Sequence, residues 1–164
     1  MRAVVQRVRS ARVEIEGEVV GAIGRGLLAF IGFGRDDTPE DRAWMLAKIA
    51  NLRVFEDDSA GADPTKPAAA GKMSRSVGEI GGAILLVSQF TLYGDVLRGR
   101  RPSFDDAMPP EPAHAAYDAA IDEMRAMGLR VETGRFRSAM DVHSHNDGPV
   151  TIWIDSAARR SSAR

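Results

Sequence analysis

The chain has 164 residues, 44% of them hydrophobic and 27% charged, a balance that fits one globular domain with a packed core. Its net charge is -1, so no overall positive field draws it to nucleic acid, although a local basic patch would suffice. It has no cysteine, which excludes disulfides, zinc–thiolate sites and thiol catalysis.

Residues 3–8 are short and β-branched and predict a strand. Residues 11–16 alternate, with Val13 and Ile15 on one face and Glu14 and Glu16 on the other, as a half-buried strand does. Val19 to Ile23 can pair back across the Glu16-Gly17 turn. Gly26 to Phe33 is nearly all apolar and predicts a buried strand, and the short links favour antiparallel pairing among these early strands. A helix is expected from Pro39, with Thr38 as N-cap and Glu40 and Asp41 suiting the dipole. Its expected inner stripe is Ala43, Leu46, Ala47 and Ala50, with Ile49 beside it.

Leu52 to Phe55 reads as a strand and residues 57–71 as a loop. Residues 83–92 form the most strand-like run, apolar on both faces in their first half, and predict a central strand. Residues 98–110 look irregular. A second helix is expected from Pro112 to about Met127, with Ala113, Ala116, Tyr117, Ala120, Ile121 and Met124 inward and Gly128 just past its end. Short strands follow at Arg130 to Thr133, Met140 to His145 and Val150 to Asp155, the last two joined by the turn residues Asn146-Asp147-Gly148.

The expected fold is α/β with mixed, α+β character. Antiparallel-rich sheets form a barrel-like layer, and two principal helices pack on one sheet. Residues 1–156 form a single domain, and 157–164 a disordered basic tail. The start lacks a charged-then-apolar signal pattern. No apolar run reaches the length of a membrane span. A soluble, cytoplasmic protein is the expectation.

The chemistry left open is narrow. The three histidines are His114, on the second helix, and His143 and His145, which share one face of a strand. An H-x-H pair can ligate a metal, but no third ligand at a suitable spacing accompanies it, so neither metal nor cofactor is expected. The serine-hydrolase elbow is absent, and so are the dinucleotide and phosphate-loop glycine patterns. Three features remain. Ser88-Gln89-Phe90-Thr91 puts hydrogen-bonding side chains at the end of a buried strand, where ligand sites are common; a strand simply leaving the core reads the same way. Gly148-Pro149 precedes a strand and is either a hairpin turn or a specialised X-Pro element. Arg98-Gly99-Arg100-Arg101 is either a solvated loop or a grip on RNA phosphates.

Taken in order, several segments carry a resemblance over Met1 to about Asp155. They are Val5-Gln6-Arg7-Val8, Gly71-Lys72-Met73, Ser88-Gln89-Phe90-Thr91-Leu92, Arg101-Pro102-Ser103-Phe104, Gly134-Arg135-Phe136 with Met140, and Asn146-Asp147-Gly148-Pro149-Val150-Thr151. With these the chain resembles the D-aminoacyl-tRNA deacylases. Two departures touch no motif: a long loop at 59–70 and an extended tail.

The resemblance implies hydrolysis of D-aminoacyl-tRNA, and of glycyl-tRNA mischarged on tRNA-Ala, by a homodimer with its active sites at the subunit interface and no cofactor. It implies a cis Gly148-Pro149 element, supplied by one subunit as the chiral filter, facing Ser88, Gln89, Phe90 and Thr91 of the other. Arg7 would orient that element, with Met140 nearby. Arg98, Arg100 and Arg101 are candidate tRNA contacts. The rival expectations are a non-catalytic nucleic-acid-binding protein on the same fold and, more weakly, a metal hydrolase built on His143 and His145.

Overall fold

The computed structural model describes residues 1–57 and 72–161. Most of the predicted 57–71 loop, Gly71 of the Gly71-Lys72-Met73 motif and the last residues of the tail lie outside them.

Strand β1 (Arg2–Ile15) is the spine of the molecule. Along one edge it pairs antiparallel with β2 (Glu18–Ile23) through residues 11–15 and with β3 (Gly26–Gly32) through residues 2–8. Along the other edge it pairs antiparallel with β8 (Asp141–Asp155), from Arg2 opposite Asp155 to Glu14 opposite Asp141. Helix α1 (Pro39–Asn51) and the two-stranded ribbon β4 (Phe55–Glu56) and β5 (Met73–Arg75) follow β3. The chain then returns as β6 (Ala83–Ser88), parallel to β3. Helix α2 (Pro110–Ala126) carries it on to β7 (Arg130–Thr133), parallel to β6. Parallel neighbours need such crossovers, and the helices that make them cover one face of the sheet.

The sheet also curls. A Cβ at Gly21 of β2 would lie 2.3 Å from the Thr133 carbonyl oxygen of β7, so the two strands cross in direct backbone contact only because residue 21 has no side chain. That closure makes an interior on the face away from the helices. Two cores result. Leu27, Ala29, Ile31, Ile84 and Leu86 face the helices with Met45, Ile49, Tyr117 and Met124. Leu28, Leu85 and Val87 face the barrel interior with Val8 and Val13. The alternation along β3 and β6 feeds both, which is why these strands are apolar throughout.

Helix α1 begins as expected, with a reciprocal capping box between Thr38 and Asp41. Its inner face differs from the expected stripe: Met45, Leu46 and Ile49 are buried, while Ala43 and Ala47 face solvent. The larger side chains remove more apolar area from water, so they set the helix rotation. On α2, Ala113, Tyr117, Ala120 and Met124 are buried as expected, and Ala116 and Ile121 pack at the margin. The Tyr117 hydroxyl donates to the Leu86 carbonyl at 2.7 Å, tying α2 to the central strand. Arg42 and Glu123 join α1 to α2 at 2.7 Å.

Five predicted segments change. The strands at 3–8 and 11–16 are one strand. Leu52–Phe55 is a strand only at Phe55–Glu56. The 83–92 strand stops at Ser88, and Phe90–Tyr93 is a short 3-10 helix. The two strands flanking Asn146-Asp147-Gly148 are one continuous strand, β8, because both halves pair with the unbroken β1 and the extra residues bulge out. The tail begins with a short helix, α3 (Ala157–Ser161), where disorder is expected.

Candidate active site

Ser88 is the last residue of β6 and sits opposite Ile31 of β3. Gln89 still donates its N–H to the Ile31 carbonyl at 2.7 Å, and then the chain turns. Leu92 N–H closes back on the Gln89 carbonyl at 3.3 Å, and Gly94 N–H on the Thr91 carbonyl at 3.0 Å. Among the described residues, the N–H groups of Phe90 and Thr91, at the start of the 3-10 turn, have no acceptor. The Thr91 hydroxyl is exposed and accepts a hydrogen bond from the Gln89 side-chain amide. Among the described residues, no carboxylate or imidazole hydrogen-bonds to it.

A cavity of about 710 Å³ opens next to this turn. Ser88, Gln89 and Phe90 form one wall, and Phe104 closes against Phe90 edge-on at 4.9 Å between ring centres. The opposite wall is the segment 136–140, with Met140 lining the cavity. That segment is braced from several sides. Gly134 N–H reaches the Leu86 carbonyl at 3.4 Å, and Arg135 N–H meets the Met140 sulfur at 3.3 Å. The Phe136 ring stacks on His114 at 4.5 Å and leans on Tyr117 at 5.8 Å. Among the described residues that line the cavity, none is Asp, Glu or His. A bound ester would meet apolar surface, the side-chain amide or hydroxyl groups of Ser88, Gln89 and Ser138, the Arg137 guanidinium and backbone donors, but, among the described residues, no side-chain base.

Gly148 and Pro149 lie elsewhere in the chain. Val8 pairs with Asn146 and Gln6 with Thr151, so residues 147–150 bulge out of β8 opposite Arg7 alone. The Gly148-Pro149 peptide bond is cis. Arg7 holds the bulge: its Nε is 3.2 Å from the Asp147 carbonyl oxygen, and its Nη1 donates to the Val54 carbonyl at 2.6 Å. Asn146 stiffens the bulge from within, accepting from Val150 N–H at 3.1 Å and donating to the Thr151 hydroxyl at 2.9 Å. Gly148 and Pro149 themselves are exposed, and neither lines the cavity beside Ser88.

The segment 96–102 projects as a finger, closed at its base by paired backbone bonds between Asp95 and Ser103 at 2.7 and 2.9 Å. Arg98, Arg100 and Arg101 are exposed on it, with Val96 and Leu97 at its root. Phe104, one residue beyond the base, joins the finger to the cavity wall.

The histidines do not gather into a metal site. His143 and His145 share an exposed face, and His143 lies 3.2 Å from Glu14, whose carboxyl is held below its ordinary range chiefly by the Arg12 guanidinium. No group of three or more metal-ligating side chains occurs among the described residues. Among the described residues, no helix is long and apolar enough to cross a membrane. Sequence reasoning passed over Phe104, Phe136 and Arg137 as cavity residues. The first two stand inside motifs that carry the resemblance; for Arg137 the sequence offers no signal.

The family model described as D-Tyr-tRNA(Tyr) deacylase matches residues 4–155. The chain belongs to the D-aminoacyl-tRNA deacylase family. It is 53% identical to the D-aminoacyl-tRNA deacylase of Thermotoga petrophila, over 96% of this chain and 98% of that one. It is 56% identical to that of Sorangium cellulosum, over 95% and 97%. Among solved structures, it is similar to the c-Myc DNA Unwinding Element Binding Protein, with TM-score 0.83 and 42% identity over 94% of this chain and 98% of the other. A probable eukaryotic D-amino acid tRNA deacylase shares the fold, with TM-score 0.76 and 21% identity over 94% and 98%. The expected mixed α/β fold, with a barrel-like sheet and two helices packed on it, is the deacylase fold.

Proposed function

We propose that this deacylase hydrolyses the ester of D-aminoacyl-tRNA, and of glycyl-tRNA mischarged on tRNA-Ala, releasing free amino acid and tRNA. The observation that carries this reading is the pair of unengaged N–H groups at Phe90 and Thr91, beside a cavity that offers no side-chain base. An aminoacyl ester is already reactive, so positioning and stabilisation of the oxyanion supply much of the rate. Water attacks the ester carbonyl with help from the 2′-hydroxyl of the terminal adenosine. The backbone N–H groups receive the negative charge that develops on the carbonyl oxygen. The bond to the ribose oxygen breaks, and that oxygen leaves with a proton. Thr91 positions the substrate and is not the nucleophile: its hydroxyl has an amide donor for a neighbour and no base.

Discrimination between enantiomers rests on a second copy of the chain. In a homodimer, the exposed Gly148-Pro149 bulge of one protomer enters the cavity of the other and blocks the direction an L side chain would take. Glycine has no side chain to exclude, so its ester is accepted. Arg7 fixes the bulge, and Met140 lines the receiving wall. Arg98, Arg100 and Arg101 contact tRNA phosphates from the finger, where their charge is exposed and close to the cavity wall. A cytoplasmic location follows from the substrate.

The test is hydrolysis of D-Tyr-tRNA and L-Tyr-tRNA by the purified protein with a chelator present. Rapid release from the D ester and sparing of the L ester are expected; equal rates on both would sink the chiral argument. A second reading is motivated by the 42% identical structure, which is named as a protein that binds a DNA unwinding element. Affinity for DNA or RNA without any deacylation would favour that reading.

A further inference from the structure

The cavity wall formed by residues 136–140 holds one charged side chain that the reaction above does not use. Among the described residues lining the cavity, Arg137 is the single ionised one. Its guanidinium has no hydrogen-bond or ion-pair partner among the described residues. Other arginines near the sheet are engaged: Arg2 with Asp155, Arg7 and Arg9 with Asp147, and Arg42 with Glu123.

The backbone at this position is also unusual. Arg137 has a φ of 59°, in the left-handed region, where a side chain costs about 1–2 kcal/mol relative to glycine. The other non-glycine residue there, Glu16 with φ 52°, sits in the tight turn between β1 and β2, where the hairpin demands it. At 137 the positive φ belongs to the turn that the Ser138 N–H closes on the Arg135 carbonyl at 3.3 Å, at a position glycine or asparagine usually fills. The flanking residues are nevertheless fixed, by the Phe136 ring stack on one side and by Met140 against Gly134 on the other. A cation is therefore kept at the mouth of a largely apolar cavity, at a cost in stability, with its charge unspent.

We infer that Arg137 binds the phosphodiester on the 5′ side of the substrate's terminal nucleoside. This rests on the proposed reading, in which the cavity receives the aminoacylated end of tRNA. Every such substrate carries that phosphate, and a guanidinium matches phosphate oxygens with two donors at once. Arg137 is thus a substrate-positioning residue. It recognises the RNA chain and not the amino acid, from the wall opposite Phe90.

The experiment compares two minimal esters, 3′-D-tyrosyl adenosine and 3′-D-tyrosyl adenosine 5′-monophosphate, which differ only in the phosphate. Wild type is expected to show a KM about tenfold lower for the phosphorylated ester, the size of one charge-assisted contact. R137G keeps the backbone conformation accessible; it should erase that advantage, raising KM for the phosphorylated ester far more than for the unphosphorylated one. R137K should restore part of it, and added salt should shrink it in wild type. Equal losses on both esters would mark a structural role and overturn the inference, as would an advantage that survives in R137G. Should wild type cleave neither ester, the reading of function fails, and the inference is judged separately by binding. Preference for adenosine 5′-monophosphate over adenosine, lost in R137G, supports it, and equal affinity overturns it.

Discussion

Arg7 and Asp147 meet across a strand bulge: Arg7 Nε is 3.2 Å from the Asp147 carbonyl oxygen and 3.3 Å from its carboxylate, while the same guanidinium holds the Val54 carbonyl at 2.6 Å. One side chain thus fastens the Gly148-Pro149 bulge to the segment after α1. Arg7→Lys keeps the charge but not the fork, so it can hold only one of these groups. The expected cost is about 1–3 kcal/mol of stability, the range for losing a charged hydrogen bond in a half-buried place. Denaturant midpoints measure this. Activity on D-Tyr-tRNA should fall by a larger factor than on a glycyl ester, which needs no exclusion. A parallel fall on both would detach Arg7 from chiral selection.

Gly148 cannot be replaced by alanine without strain. Its φ is 122°, and an added Cβ would stand 2.9 Å from Val150 Cγ2 and 3.0 Å from Arg7 Nη2. Gly148→Ala should lower stability by about 1–3 kcal/mol through the backbone alone, with a further loss of D-ester turnover as the bulge shifts. A variant that melts with wild type and keeps full turnover would show that the bulge tolerates the methyl group.

Thr91→Ala tests the absence of a nucleophile. With no base beside its hydroxyl, its removal should cost less than about tenfold in kcat, whereas loss of an essential nucleophile costs factors near 10⁶. Single-turnover rates on D-Tyr-tRNA decide between them. A collapse of several orders of magnitude would restore Thr91 to the chemistry.

Tyr117 gives the fold an alkaline limit. Burial raises its phenol above the ordinary value near 10, with a smaller contribution from Asp118. A raised folded pKa means that the neutral form is preferred in the native state. The associated stability is whole below about pH 10, where the unfolded chain's tyrosine begins to ionise, and declines as pH rises beyond it. The melting temperature should therefore fall from about pH 10 upward. Tyr93, raised by burial and by Asp37, adds to the slope. Tyr117→Phe should flatten it while costing about 1 kcal/mol at neutral pH for the lost bond to the Leu86 carbonyl. An unchanged slope in that variant would assign the alkaline transition to other groups.

Much of this architecture is legible in the residues. The two-faced apolar run of β6 announces a strand covered on both sides. Thr38-Pro39-Glu40-Asp41 announces a helix start because each residue satisfies a local need of the first turn. Register and rotation are less legible. Asn146-Asp147-Gly148 has the composition of a turn, yet the strand resumes beyond it, because β1 continues to offer partners and Arg7 fills the gap. Phe90 to Leu92 has strand-forming side chains, yet the chain coils there once β3 has run out of pairing groups at Gly32. The cavity was half visible: Ser88 to Phe90 stand out on β6, but the opposing wall comes from residues more than forty positions later. Only the crossover through α2 brings it near.

The pairing of β1 with β8 also sets an order of events during synthesis. Arg2 meets Asp155 and Glu14 meets Asp141, so the spine's second edge stays open until about 140 further residues have been added. At roughly 5–20 residues per second on the ribosome, that is an interval of about 7 to 30 seconds. An open strand edge of this length invites pairing with other nascent chains. Arg9, Arg12 and Glu14 line the exposed face of that waiting edge, and like-charged neighbours on a second chain would repel before the backbones could dock. The same residues that pair with Asp147 and with each other on the finished surface guard the molecule while it is half made.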